Sequence, residues 1–493
     1  MLETQWSALS SQGWSYTAPV LAFSEIDTSP NGTSDCGLST SYILEAPDGQ
    51  RHSFFLSVVG DNTLDDPQDG CPQQYLSDTE PDGWTAATPG DTQPGPYQTM
   101  SPTITSADGT VFSFSGSGIP EFGWLPSRAT GRNGNWLAYS LNGASNNALT
   151  ITDSLGRTLL TTKGFQPAQT YSSLTDTITA DGSAGPAYTA TWQTGPSAAS
   201  MTITPAGRFA CPVSESTGAG GGGPVITSHT TPEGTYTFSY DPTYGVLDRI
   251  TYPNGGYVRY VWAETSSPAE SGVFYTPPGN GTPSACDGVY PGVVVTDRYV
   301  SPDGSSETGH QQFSYVTNWN PSATNLWTTK QTTVTTTDSS AGTSWTTTYT
   351  YAPESSPPPA NSPLSQNTTQ IPVESEVSTV QNGNQLEDVH ENWTSGYPYL
   401  PTDRWFSRNG IDIGEDVLGY TAAGQINDKK EYNGWAVNSA PLVRETTVAY
   451  ASFSQNIVDR PAQVTVYTGP AGSGVVVADT NFGYNANGDL TSS

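Results

Sequence analysis

The chain is poor in positively charged residues. It carries 16 Lys and Arg against 46 Asp and Glu over 493 residues, which gives a formal net charge of −30. Phosphate contacts need clustered Lys and Arg, so this composition argues against nucleic acid and against an anionic membrane surface as partners. The acidity is expected to keep a large protein soluble; attraction of a basic cargo or of calcium is the sharper alternative.

Helical periodicity, long apolar runs and a leader are also missing. No segment repeats apolar residues at helical spacing, and no run approaches the roughly 18 apolar residues of a membrane span. Residues 1–5 lack the basic and apolar regions of a signal peptide. The chain stops at Ser493, just after a turn without its partner strand. We therefore expect a piece of a longer polypeptide, which would account for the absent export signal.

Cysteine is scarce: Cys36, Cys71, Cys211 and Cys286 are the only four. No C-x-x-C pair occurs, which argues against zinc held by cysteine. An even number in a lysine-poor chain is typical of an oxidising compartment. Pairing of nearest neighbours would join Cys36 to Cys71 and Cys211 to Cys286. Three connectivities are open for four cysteines, and buried free thiols remain the alternative.

Turn residues dominate what is present. The sequence has 51 Gly and 39 Pro, with nine Asn-Gly and seven Asp-Gly pairs between strand-like runs. Asn-Gly is the strongest short-range hairpin signal because both residues tolerate positive φ. An aromatic content of 11% argues against disorder. The sequence predicts an all-β fold, with many short antiparallel strands and hairpins forming a large curved sheet.

The strand-like segments have no clearly apolar face, which predicts strands exposed to water on both sides. Residues 332–337 and 345–351 are rich in threonine, a good strand former, yet neither face alternates apolar residues reliably. A packed sandwich requires such alternation. The pattern therefore favours a broad sheet that bounds a water-filled space.

Composition divides the chain into five regions. These are residues 1–100, with an acidic loop; 101–224, ending in a glycine-rich loop; 225–352, with repeats; 353–364, a proline-rich linker or loop; and 365–493, with further repeats and truncated.

One short pattern recurs. In Tyr240-Asp241, a tyrosine and a polar residue precede Gly245 and Leu247, and a second turn at Gly255 follows. The same order begins at Tyr420 and at Tyr484, and a copy without the tyrosine begins at residue 151. The spacing of the copies is irregular, which argues against a strict array.

These segments resemble the YD repeat of the RHS family, which includes bacterial RHS proteins, wall-associated polymorphic toxins, toxin-complex shell subunits and teneurins. The resemblance implies a spiralling β-shell, secreted or at the cell surface, that encloses or displays a polypeptide of the same or a longer chain. It implies structural roles for the residues that follow the pattern. They are Tyr240, Asp241, Gly245, Leu247, Tyr252, Gly255, Tyr257, Tyr260, Tyr420, Gly424, Tyr484, Gly488 and Leu490.

No motif for chemistry stands out, so we expect no catalytic residues, no cofactor and no metal in this segment. Both the nucleophile elbow and the P-loop are absent, and His390-Glu391 lacks the second histidine of H-E-x-x-H. His52, His229, His310 and His390 are predicted to be ordinary polar residues. The acidic cluster at residues 61–69 does not have EF-hand spacing.

Two alternatives belong to other classes of protein. A secreted carbohydrate-binding adhesin would present its aromatic side chains in exposed rows, with glycans as partners. A secreted glycoside hydrolase would place two carboxylates about 5–10 Å apart across a cleft. The adjacent pairs Glu415-Asp416 and Glu387-Asp388 are candidates.

Overall fold

A computed structural model describes most of the chain. The described residues are 19–28, 36–46, 50–61, 76–80, 83–88, 102–114, 125–142, 148–163, 174–180, 187–196, 201–205, 214–216, 224–276, 284–356, 369–394, 399–435, 440–453 and 456–493. Their regular secondary structure is entirely β-strand, so none of them belongs to a helix that could cross a membrane.

Three small sheets accompany one large one. The first small sheet contains β1 (Val20–Thr28), β2 (Cys36–Glu45) and β3 (Arg51–Asp61). The second contains β14 (Met201–Pro205), β15 (Ser214–Ser216), β20 (Glu270–Thr276) and β21 (Ser284–Tyr290). The third contains β34 (Gly483–Tyr484) and β35 (Leu490–Ser492).

The large sheet has 26 strands, all antiparallel to their neighbours. Its first half comprises β4 (Ser77–Thr79), β5 (Thr85–Ala87), β6 (Thr103–Thr105), β7 (Val111–Ser113), β8 (Arg128–Thr130), β9 (Trp136–Asn142), β10 (Ala148–Asp153), β11 (Thr158–Lys163), β12 (Leu174–Ala180), β13 (Tyr188–Thr194), β16 (Pro224–Thr231), β17 (Gly234–Tyr240) and β18 (Leu247–Thr251). Its second half comprises β19 (Tyr257–Glu264), β22 (Val293–Ser301), β23 (Gly309–Asn320), β24 (Ala323–Asp338), β25 (Thr343–Ser356), β26 (Thr369–Gln381), β27 (Asn384–Trp393), β28 (Pro401–Arg408), β29 (Ile411–Tyr420), β30 (Ile426–Tyr432), β31 (Leu442–Tyr450), β32 (Pro461–Thr468) and β33 (Val475–Asn481).

The ladder follows chain order from β4 to β33, with β14, β15, β20 and β21 set aside. Within the described residues β4 pairs only with β5 and β33 only with β32, so strand pairing does not close the sheet. The predicted all-β fold of antiparallel strands in one large curved sheet is confirmed. The ladder also runs from β25 to β26 across the predicted proline-rich linker, with Pro353 paired to Pro372.

A hydrophobic core lies where β1–β3 pack on the first strands of the large sheet. Leu44, Phe54 and Leu56 from the small sheet meet Ile104 and Phe112 from the large one, all nearly inaccessible to solvent. Trp84 and Tyr139 pack against this cluster. Here, unlike the prediction from the threonine-rich strands, two β-layers are packed face to face.

Most later strands have no comparable packed layer in the described part of the chain, although β20 and β21 contact β24. Their burial patterns are mostly intermediate along both faces, for example throughout β18 and nearly throughout β22. Both faces of the predicted threonine-rich strand β24 fit this description, with Trp327 and Val334 as buried exceptions. The wetted sheet predicted from the sequence is therefore the architecture of this region.

One turn is used seven times. In each copy the first residue accepts a hydrogen bond from the N–H of a glycine three residues on and donates its own N–H to the carbonyl of the fifth residue. The glycines, with φ between 74° and 88°, are Gly83, Gly109, Gly134, Gly156, Gly255, Gly424 and Gly488. Three of the four predicted repeat copies, those beginning at residues 151, 420 and 484, have this turn as their first turn, and in the copy beginning at Tyr240 the second turn, at Gly255, has this form.

True two-residue hairpins occur elsewhere. Asn382 and Gly383 both have positive φ, as do Asn409 and Gly410, which is the type I′ geometry expected of Asn-Gly. At Asn254-Gly255 only the glycine has positive φ, and the Asn254 side chain instead accepts a bond from the Gly256 N–H at 3.1 Å. Asn-Gly therefore marks a turn correctly without fixing its type.

Candidate functional site

The tyrosines that begin three predicted repeats, Tyr240, Tyr420 and Tyr484, each make the same kind of hydrogen bond to the preceding strand. The hydroxyl of Tyr420 donates to the carbonyl of Pro401 at 2.7 Å, and the register of β28 and β29 pairs Asp403 with Val417. Extending this register by three residues places residue 400 opposite Tyr420. The hydroxyl therefore bonds the carbonyl of the residue after the one that lies opposite, which is Pro401. Tyr240 bonds Ile226 O at 2.7 Å and Tyr484 bonds Pro461 O at 2.9 Å with the same offset.

Four further aromatic side chains repeat this geometry. Trp262 Nε1 donates to Leu247 O (2.9 Å), Tyr315 Oη to Val295 O (2.8 Å), Trp393 Nε1 to Glu374 O (2.7 Å) and Tyr450 Oη to Ile426 O (2.8 Å). We call Tyr240, Trp262, Tyr315, Trp393, Tyr420, Tyr450 and Tyr484 the aromatic row. Six of them sit in the second half of large-sheet strands that run in the same direction. Tyr484, in β34, follows the next such strand, β33, so the row follows one edge of the sheet.

A β-bulge accompanies every member of the row except Tyr315. Gly419 pairs with Asp428 but Tyr420 pairs with Ile426, which leaves Asn427 as the extra residue on the following strand. Equivalent shifts occur at the other five members. Bulges bend a strand and increase its twist, so a repeated bulge curves the sheet in a consistent sense.

Members of the row are connected through the residues that accept their bonds. Ile426 pairs with Tyr420 and its carbonyl accepts the hydroxyl of Tyr450. Pro461 pairs with Tyr450 and in turn accepts the hydroxyl of Tyr484. Five of the seven side chains hold the carbonyl of a residue that pairs with the previous member, and each bond joins a strand to its neighbour in addition to the main-chain ladder. The acceptors of the other two, Tyr240 and Trp393, pair with residues outside the row.

Burial raises the pKa of three tyrosine hydroxyls of the row. It raises the pKa of Tyr420, to which the neighbouring Arg404 and Glu391 make smaller opposing contributions. Burial likewise raises the pKa of Tyr315, and burial with nearby Asp459 raises that of Tyr450. A protonated hydroxyl is the form that can donate to a backbone carbonyl.

The other predicted repeat residues have separate roles. The Asp241 carboxylate accepts the N–H groups of Thr243 and Tyr244 and shapes a turn that is longer than the common one. Tyr257 lies under the Arg249 guanidinium at 3.7 Å and bonds Glu307 at 3.1 Å. Tyr252 makes an edge contact with Tyr236, Tyr260 lies beside Trp262, and Leu490 is 57% exposed.

Sequence reasoning missed Trp262, Tyr315, Trp393 and Tyr450. None of them has the glycine that follows the predicted tyrosines four or five residues on, and two are tryptophans. The available signal was an aromatic residue at the end of a strand pattern on every second strand. Loops of different lengths between strands conceal that spacing in the sequence.

The ends of the large sheet meet at a contact that we call the seam. It consists of residues 456–458 and the Gly488 turn on one side, and the Gly83, Gly109 and Gly134 turns on the other. Asn456 donates to Gly83 O at 2.7 Å, Val458 N donates to Ala107 O at 3.1 Å, and Ile457 forms an isolated bridge with Asp108.

Ile457 is the centre of the seam, with 2% of its surface exposed. A Cβ atom built on Gly109 would lie 2.8 Å from Ile457 Cγ1, and one on Gly488 would lie 3.0 Å from its Cδ1. Both glycines also have positive φ. The turns therefore require glycine both for conformation and for the approach of this side chain.

Polar contacts complete the seam. Asp489 accepts bonds from the side chains of Asn133 at 3.2 Å and Arg132 at 3.3 Å. Hydrogen bonds from Asn485 and Asn133, with the Arg132 charge, hold the pKa of Asp489 below its usual value. At Asp108, burial acts to raise the pKa, but hydrogen bonds from Ser106 and Thr110 outweigh it, and the pKa lies below its usual value.

All four histidines stack on an aromatic ring. Ring centroids are 3.9 Å apart for His52–Trp84, 6.0 Å for His229–Tyr188, 4.4 Å for His310–Tyr299 and 5.1 Å for His390–Trp405. His52 is buried and lies 2.8 Å from Glu80. Each histidine was predicted to be an ordinary polar residue, and in the structure each also packs its ring against an aromatic side chain.

The carboxylate pairs considered for glycoside hydrolysis lie within strands. Glu415 and Asp416 are neighbours in β29, and Glu387 and Asp388 are neighbours in β27. Successive side chains of a strand point to opposite faces, so neither pair faces one cleft.

Several predicted features fall outside the described residues. Cys71 and Cys211 do so, as do the side chains of Cys36 and Cys286 and most of the acidic loop. The disulfide pairings and the five-region division stay predictions.

The comparisons add little. No family model and no curated protein sequence matches the chain. A crystal structure titled TcdB2-TccC3-TEV aligns with 98% of this chain and 23% of its own, at 11% identity and a TM-score of 0.29. One titled TcdB2-TccC3-Cdc42 aligns with 83% of this chain and 22% of its own, at 10% identity and a TM-score of 0.21.

The chain thus spans less than a quarter of these solved chains. Such TM-scores do not establish a shared fold. The resemblance to the RHS family rests on the repeat motifs, and the all-β sheet is the part of it that the structure confirms.

Proposed function

We propose that this chain is a wall segment of a shell, which encloses or displays a polypeptide at or outside the cell surface. Its role is mechanical, and the enclosed polypeptide belongs to the same or a longer chain. The observation that carries the proposal is the seam, where the two ends of a 26-stranded sheet come into contact.

The size of the sheet makes this contact informative. Strands lie about 4.8 Å apart, so a flat sheet of this many strands would span on the order of 120 Å. Contact between the Gly83 turn and Asn456 therefore requires the sheet to curl through about a full turn. A ring of that circumference is on the order of 40 Å across, which leaves room for a polypeptide inside.

The seam also fits a spiral. The Gly83, Gly109 and Gly134 turns lie at one strand-end edge of the sheet, whereas Tyr450 and the following residues 456–458 lie at the opposite edge. The late edge therefore stacks on the early one. Such an offset permits further strands on either side without disturbing the seam.

Water on both faces supports the same role. A wall between solvent and an enclosed chain needs stability without a second packed layer, and the aromatic row supplies links of that kind. The adhesin alternative is less well supported, because among the described aromatic residues only Tyr188 and Tyr252 are exposed, each at 38%.

Protection of an appended polypeptide tests the proposal. A lysine-rich unstructured tail is fused after Ser493, and its cleavage by trypsin is followed in wild type and in the seam variant Ile457→Asp. Enclosure predicts slow cleavage in wild type and at least tenfold faster cleavage in the variant. The milder Ile457→Ala and a circular dichroism spectrum show whether the variants keep their strands.

Equal cleavage rates in wild type, in the seam variant and in the tail fused to an unrelated folded protein would contradict enclosure.

A further inference from the structure

One group of side chains on the late strands has metal-ligand chemistry. Pairing of β26 with β27 places Glu376 directly opposite His390, and Asp388 lies two residues before His390 on the same face. One ligand atom from each of the three lies within 4.8 Å of the others. His390 Nε2 and Asp388 Oδ2 are 3.0 Å apart.

The surroundings of this group are incompletely satisfied. The Asp388 side chain is only 13% exposed, and its Oδ1 atom is buried without a hydrogen-bond partner in the described residues. Trp405 stacks on His390, and Trp435 meets both rings edge-on at 6.5 and 6.1 Å. The aromatic rings hold the imidazole in place and reduce the access of competing water.

We propose that Glu376, Asp388 and His390 form a binding site for a divalent transition metal, with zinc as the preferred ion. Zinc takes imidazole and carboxylate ligands at about 2.0–2.2 Å in tetrahedral geometry, which puts neighbouring ligand atoms about 3.3–3.6 Å apart. His390 Nε2 and Asp388 Oδ2 are joined by a hydrogen bond of 3.0 Å, so a bound ion would replace this bond after a small outward shift of the two side chains. The two carboxylates balance the charge of the ion.

Calcium fits the site less well. It takes about 6–8 oxygen ligands and has little affinity for imidazole. The proposal departs from the sequence prediction of no metal, because the ligands come from two strands and follow no linear motif. A bound ion would cross-link β26 to β27 in the region that lacks a packed core.

The chain supplies a matched control. His310 Nε2 lies 2.8 Å from Asp297 Oδ1, and the His310 ring stacks on Tyr299, so this pair copies the His390–Asp388 arrangement. Among the described residues it is not part of any group of three metal-ligating side chains. His310→Gln therefore removes a similar histidine without touching the proposed site.

Isothermal titration calorimetry of the chelator-treated full chain with zinc chloride tests the proposal. We expect one zinc ion per chain, at least tenfold weaker binding in His390→Gln and in Asp388→Asn, and unchanged binding in His310→Gln. Glu376→Gln serves as a further variant if either of the first two loses its strand signal in circular dichroism.

Three results would overturn the proposal. They are absence of zinc binding in wild type, zinc binding of equal affinity in the site variants, and tighter binding of calcium chloride that His390→Gln leaves unchanged.

Discussion

The early and late parts of the large sheet are stabilised in different ways. Around β5–β9 the sheet is covered by β1–β3, and the buried side chains form one hydrophobic cluster. Beyond residue 225 the same antiparallel ladder continues with most side chains half-buried. Of the largest fully buried side chains, all but Val225 lie between Pro19 and Pro126.

The comparison shows that a ladder can persist after its second layer ends. Main-chain hydrogen bonds are continuous in both parts, but the late part adds the aromatic row and charged pairs such as Glu391 with Arg404. Hydrophobic burial is thus concentrated at the start of the sheet. The seam brings the late part back to turns of the early one.

The largest expected difference between the two parts is in the cost of removing a phenylalanine. Phe54 is 1% exposed in the early core, so Phe54→Ala should destabilise by about 3–5 kcal/mol. Phe406 in β28 is only half-buried, and Phe406→Ala should cost about 1–2 kcal/mol. Urea unfolding followed by circular dichroism measures both.

Equal costs for the two phenylalanine substitutions would mean that the late sheet is packed as tightly as the early one. Hydrophobic burial would then not be concentrated at the start of the sheet.

The seam should rank next. Ile457→Ala removes a buried side chain that contacts the Gly109 and Gly488 turns, and a cost of about 2–4 kcal/mol is expected. Val443→Ala, at a side chain 52% exposed, is the control and should cost less than about 0.5 kcal/mol. Thermal unfolding of both variants against wild type provides the measurement, and similar melting temperatures for the two would argue that the seam does not hold the ends together.

A single member of the aromatic row should have a smaller effect. Tyr420→Phe keeps the ring but removes the bond to Pro401, so a loss of about 1 kcal/mol is expected. Tyr467 is also half-buried in a late strand but has no hydroxyl bond in the described residues, and Tyr467→Phe should be close to neutral. A neutral Tyr420→Phe in urea unfolding would reduce the row to a packing feature.

Acid should weaken the seam more than the early core. The pKa of Asp489 is lower in the folded chain than the usual value of about 3.9, so the folded state binds this proton less readily than the unfolded state. Its contribution to stability is present above about pH 4 and is lost as the pH falls through the folded value. As the pH is lowered from neutral, the melting temperature of Asp489→Asn should therefore fall less steeply than that of wild type. Parallel profiles would show that this carboxylate does not couple the seam to pH.

Much of this fold follows from local sequence. Glycine after Asp or Asn marked turns correctly, as at Gly109 and Gly488, because few other residues adopt positive φ. Poor alternation correctly indicated strands wet on both faces. The packed layer formed by β1–β3 was missed because Phe54, Phe55 and Leu56 form a continuous apolar run without alternation, and because pattern alone does not say which sheet covers which.

The candidate sites were harder to predict because they join distant residues. Tyr420 was identified from its repeat, but its acceptor Pro401 depends on strand register. Ile457 has an unremarkable local sequence and becomes important only when the sheet curls back on itself. Long-range contacts of this kind are fixed by accumulated twist and bulges, which no short motif encodes.

Small-angle X-ray scattering of the full chain tests the central claim most directly. A solid globule of 493 residues should have a radius of gyration of about 23 Å. The curled, water-lined sheet predicts a clearly larger value and a distance distribution shifted toward long distances, as for a hollow body. A value matching the solid globule, with a symmetric bell-shaped distribution, would contradict it.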